Sequence, residues 1–140
     1  MNPNQTLARD GSELADLRDL KVVLKALTLV LTRQRAAIAA LDIEELAAAS
    51  AEKRRLGDEA MLIQSTLQPA GSGDDRTVEM RRDIKRLAVE VRCAAQANAI
   101  LMSDARKMIG HVLGTETVAN GYDRRARRYS EPRASLAKAV

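Results

Sequence analysis

The chain holds one cysteine and one histidine, the first residues to weigh for chemistry. A thiolate nucleophile needs its base within hydrogen-bond reach. Cys93 and His111 stand 18 residues apart, five turns of a single helix. They would share a helix face yet lie ~27 Å apart along the axis, so they cannot act as a pair within one helix. Cys93, beside an apolar seam, is expected to be a small packing residue. His111 is expected in solvent near a helix C-terminus, where the macrodipole favours a cation. A carboxylate-bridged metal site in a bundle is built on Glu-x-x-His, but Met108 stands three residues before His111. Gly71-Ser72-Gly73 lacks the Gly-Lys-Ser/Thr of a phosphate cradle. Gly110 and Gly114 have Gly-x-x-x-Gly spacing, but in a short charged helix this reads as a helix end, not a membrane dimer motif. No catalysis, cofactor, metal or small-molecule substrate is expected.

Residues suited to binding are better represented. Asn98 falls on an apolar stripe. It can be a polar seam residue that fixes register, or a hydrogen-bonding anchor for a partner. Met102 and Met108 stand among Ile and Leu, as core filler or as the adaptable side chains of a binding surface. Arg124, Arg125, Arg127 and Arg128 form a basic cluster, a candidate contact for phosphate or an acidic surface. Only Tyr122 and Tyr129 flank it for base stacking, so no nucleic-acid partner is expected.

The elements that must position these residues are helical. Of 140 residues, 24 are Ala and 17 Leu, with no Phe, no Trp and two Tyr. Without aromatic rings to fill a rounded core, and with few breakers, the composition is that of long helices packed side by side. Leu14, Leu17, Leu20, Leu24, Leu27 and Leu31 recur at spacings of three and four, one stripe of a helix, weaker through Ile38 and Leu41. Val22, Val23, Leu29 and Val30 widen that stripe, so this helix should touch more than one neighbour. Asp10 and Glu13 have capping-box spacing, as do Asp42 and Glu45. A second stripe, Leu46, Ala49, Lys53, Leu56, Ala60, Ile63 and Leu67, is out of register with the first. A new helix at 43 is therefore the better reading, against one bent helix. The run from Pro69 to Asp75 reads as a loop, with Asp74 or Asp75 capping the third helix. The third stripe runs Met80, Ile84, Leu87, Val91, Ala94, Asn98, Leu101, Ala105, Met108, Val112. The resulting expectation is an all-α fold, an elongated antiparallel bundle or coiled coil. Its three helices should lie at about 11–41, 43–68 and 75–113, in one domain over 1–114, with a flexible basic tail over 115–140. Gly114 should act as the last helix's C-terminal stop.

Paired antiparallel, the third helix outruns the second by about 13 residues. The excess is 101–113, and over 98–113 the apolar surface widens to include Ile100, Leu101, Met102, Met108, Ile109, Val112 and Leu113. Apolar surface beyond what a bundle needs has to be covered by something. Residues 1–114 hold 17 Lys/Arg against 16 Asp/Glu, and 115–140 hold 6 against 3, so the positive excess sits at the C-terminal end. The lone cysteine suggests a reducing compartment, and Arg9 and Asp10 interrupt any signal-peptide core. The longest uncharged stretch, 60–73, is 14 residues, short of a membrane span. A cytoplasmic chain without membrane insertion is expected.

In this order, three patches resemble the FlgN family of flagellar type III export chaperones. Leu46 to Leu56, with Glu52-Lys53, is similar to the stretch opening that family's second helix. Asn98-Ala99-Ile100-Leu101 is similar to its Asn-x-x-Leu element, and Tyr122-Asp123 to its Tyr-Asp/Gly element. Ala99 replaces the family's usual Gly, and Arg124-Arg125-Ala126 stands where the family usually has Gly-Arg. The resemblance implies a non-catalytic chaperone that binds the terminal helices of hook–filament junction proteins and delivers them to the cytoplasmic domain of the export gate. It assigns client binding to Asn98, Leu101, Met102, Ala105, Met108, Ile109 and Val112, and gate docking to Tyr122. A sibling chaperone for another flagellar client and a structural homodimeric coiled coil, or a weak homodimer, are the alternatives.

Overall fold

The computed structural model describes residues 3–67, 69 and 74–114, with side chains from residue 11 onward. It contains three helices and, among the described residues, no strand: α1 (Pro3–Ala40), α2 (Ile43–Thr66) and α3 (Asp75–Leu113). They pack as an all-α bundle. None is long and apolar enough to cross a membrane, among the described residues.

The first helix begins eight residues before the expected start, and Asp10 lies inside it. Pro3 has a fixed φ suited to the first helical turn, and Gln5, Leu7, Ala8 and Arg9 are good helix formers. Local propensity therefore carries the helix past the capping-box signal.

The break between α1 and α2 is sharp. The Asp42 amide donates to the Ala37 carbonyl at 2.9 Å and the Leu41 amide to Ile38 at 3.2 Å. These are the two bonds of a Schellman motif. Its left-handed position is held by Leu41, with φ of 54°, where glycine is usual. Leu41 is 60% exposed, so it gains little burial for that conformation. Leu41→Gly should raise stability by about 1 kcal/mol, read as a higher midpoint in urea unfolding; a lower midpoint would mean the side chain packs after all. Asp42 then caps α2, accepting from the Glu45 amide at 3.0 Å. The reciprocal half of the box goes elsewhere: the Glu45 carboxylate accepts from Arg33 of α1, as does Glu52. These exposed pairs stitch the two helices antiparallel.

Asp74, not Asp75, caps α3. One carboxylate oxygen accepts from the Thr77 hydroxyl at 2.6 Å and the Thr77 amide at 2.9 Å. The hydroxyl first, then the amide, holds the Asp74 carboxyl below its usual value. A carboxyl lowered by folding stabilises the fold above its unfolded pKa and loses that contribution as pH falls through the folded one. Asp74→Ala should therefore lower the melting temperature at neutral pH, by a gap that narrows as pH falls through the folded carboxyl's titration, in paired thermal scans. A gap that persisted in acid would exclude the charge.

The chain divides into two compact units, residues 1–99 and 100–140. The division lies inside α3. In the first unit Leu20, Val23, Leu24, Leu27 and Val30 of α1 meet Ala49 and Leu56 of α2, with Ile84, Leu87, Ala88 and Val91 of α3 partly buried against them. The buried Val23 and Val30 are the widening of the α1 stripe; Val22 and Leu29 beside them stay exposed. Arg81 pairs with Glu13 and Lys21 with Asp83, so α3 runs parallel to α1, up–down–up. Gly114 ends α3 with φ of 69°, as expected of a C-terminal stop.

Candidate functional site

Two features of α3 bear on function. The first is a buried polar layer. Asn98 is 2% exposed and Gln34 is fully enclosed. The Asn98 amide donates to the Leu31 carbonyl at 2.8 Å and to the Gln34 side-chain oxygen at 3.1 Å; the Gln34 amide donates to the Ser50 hydroxyl at 3.0 Å. One residue from each helix thus forms a bonded chain through an otherwise apolar seam. No buried side-chain nitrogen or oxygen lacks a partner among the described residues. This corrects one expected site residue. Asn98 is consumed inside the bundle, so it is a register-fixing seam residue and not an anchor for a partner. Gln34 and Ser50 were not anticipated. Gln34 carried a signal: it stands three residues after Leu31 and four before Ile38, a polar residue on a stripe position.

The second feature is the last four turns of α3. Leu101, Ala105, Met108 and Val112 recur at four, three and four. Met102, Ile109 and Leu113 run alongside, and at ~100° per residue the two lines make one face roughly 140° wide. In the isolated chain this face is largely open. Met108 is 69% exposed, Val112 78% and Leu101 38%; Ile109 and Leu113 are also exposed, and Met102 and Ala105 are half-buried. The helix therefore brings together six of the seven expected client-binding residues and withholds Asn98. Ile100 is exposed but falls outside the face. Tyr122 lies outside the described residues, as do the Arg124–Arg128 cluster and the whole of the expected tail.

Cys93 is exposed, which corrects its reading as a packing residue. Five residues before Asn98, it is turned ~140° away from the direction Asn98 takes into the bundle. His111 is exposed in the last turn of α3. No group of three or more His, Cys, Asp or Glu among the described residues could hold a metal ion. Comparison with protein-family models, with curated proteins and with solved structures finds no match.

Proposed function

We propose that the protein is a non-catalytic, cytoplasmic export chaperone of the FlgN type. It binds the terminal helices of hook–filament junction proteins, keeps them from assembling early, and delivers them to the export gate. The observation that carries this reading is the open apolar face of Leu101, Met102, Ala105, Met108, Ile109 and Val112 at the end of α3. Exposed apolar surface gathered on one face marks an interaction site. At helical spacing it suits a helix laid along it. Methionine at its centre adapts to side chains of different shape. The resemblance of Leu46–Leu56, Asn98–Leu101 and Tyr122-Asp123 to the family supplies the client, and Tyr122 is the proposed docking residue for the gate.

The test separates the two roles. Calorimetry of the whole chain against peptides from the terminal helices of junction proteins should show saturable binding, and export of the client should fall in Tyr122→Ala with peptide affinity unchanged. Absence of peptide binding to a folded chain would end the chaperone reading. A homodimer formed through the same face is the competing outcome, and sedimentation at low concentration would detect it.

A further inference from the structure

The second helix carries a line of exposed residues on the side away from the core. Ala49 and Leu56 of α2 are buried in the bundle, with Ala60, Ile63 and Leu67 packed beside them. Roughly 150° round the helix from these, Ala48, Ala51, Arg55, Asp58, Leu62 and Ser65 recur at three, four, three, four and three, and every one is exposed. Leu62 is 68% exposed and Met61 beside it 71%. That spacing is the repeat of a two-helix seam. The corresponding outward lines of the other helices differ in charge. On α1 the line runs Ala15, Arg18, Val22, Lys25, Leu29, Thr32, and on α3 Val78, Arg82, Lys85, Val89, Arg92, Gln96. Both hold cations and no carboxylate. The α2 line alone of the three carries both signs, Arg55 and Asp58, at its middle.

We propose that this line is the interface of a weak homodimer, in which α2 packs antiparallel on α2 of a second copy. A two-fold axis level with Leu56 and Gly57 sets Arg55 opposite the second copy's Asp58, Ala51 opposite its Leu62, and Ala48 opposite its Ser65. Each pairing then occurs twice, as a contact between identical faces requires. The alanines leave room for the facing leucine and let the helix axes approach. Asp58 has no ion pair among the described residues of its own chain, and Arg55 meets Glu59 at 3.3 Å while its side chain stays 65% exposed. The two are therefore open to a facing charge. Opposite charges at the centre also fix the orientation, since a parallel pairing would set arginine against arginine and aspartate against aspartate. Glu52 and Glu59, which flank the seam, are each paired with an arginine of their own chain, so they repel each other little. With one leucine and two alanines per copy the apolar contact is small, which places the dimer in the weak, reversible class. The pairing uses no residue of the Leu101–Leu113 face and does not depend on the function proposed above.

The test is a charge exchange read by sedimentation of the whole chain over ~0.005–0.5 mM, the range of weak association. The unaltered chain should pass reversibly from monomer to dimer. Arg55→Asp and Asp58→Arg each set like charges opposite one another, twice per dimer, and should each raise the dissociation constant at least about tenfold. The double variant Arg55→Asp with Asp58→Arg restores opposite charges with the order reversed, and should return the constant to within about threefold of the original. Leu62→Lys removes the large apolar contact from an already exposed position and should weaken the dimer without touching the charges. Thermal unfolding of each variant checks that the bundle is intact. Met108→Asp should leave self-association unchanged. A chain that stays monomeric throughout the range would overturn the proposal. So would a dimer indifferent to the single reversals, or one that the double variant fails to restore. A dimer lost in Met108→Asp but kept in Arg55→Asp would overturn it in favour of pairing through the end of α3.

Discussion

Met108→Asp is expected to lower the affinity for a junction-protein terminal helix by about 30- to 100-fold, with the free protein as stable as before. The two halves of this result have one physical cause. In the free chain Met108 is mostly in water, so a carboxylate there loses little burial. In the complex the same position would lie under the partner helix. Desolvating an unpaired polar or charged group there costs about 2–3 kcal/mol, and each 1.4 kcal/mol is about tenfold in affinity. Calorimetry for binding and thermal unfolding for stability measure both halves on one sample. Unchanged affinity would remove this face from the proposed function. A large loss of stability would show that Met108 supports the fold instead.

The second large effect concerns the polar layer. Asn98→Ala should destabilise the protein by about 2–3 kcal/mol, since it leaves a cavity and strips the Gln34 oxygen of its donor in a place closed to water. Gln34→Leu should cost a similar amount, because the Ser50 hydroxyl loses its donor and the Asn98 amide keeps only the Leu31 carbonyl. The double variant Gln34→Leu with Asn98→Leu should cost much less than the sum of two single leucine substitutions, with a coupling of about 1–2 kcal/mol. An apolar pair in place of a satisfied polar one is often neutral. Denaturant unfolding of the four chains supplies the cycle. Simple additivity would mean that the two side chains do not depend on each other. The double variant should also hold register less well, because leucines can interdigitate at more than one offset where the amide chain cannot. Asn98 thus ties α3 to α1 through the Leu31 carbonyl and the Gln34 side chain.

The apolar stripes, the break before Asp42, the cap at Asp42, a cap for α3 at Asp74 or Asp75, and the glycine stop at 114 are all legible from the residues alone. So is the concentration of apolar side chains between 101 and 113. Each depends on residues three to five positions apart, where helix geometry leaves little choice. The early start of α1 at Pro3 is also local, but there propensity overrode a capping signal of similar strength. The roles of Asn98 and Cys93 could not be read in the same way. A polar residue on an apolar stripe looks the same whether it awaits a partner or already has one. Asn98 has one because Leu31 and Gln34, 67 and 64 residues earlier, come within hydrogen-bond distance, and only the packing of α1 beside α3 brings them there. The seating of α3 likewise turns Cys93 outward. Sequence by itself determined which stretches are helical and which faces are apolar, since both depend on backbone geometry and side-chain type. Tertiary structure decided which of those faces are already occupied, because burial depends on neighbours far along the chain.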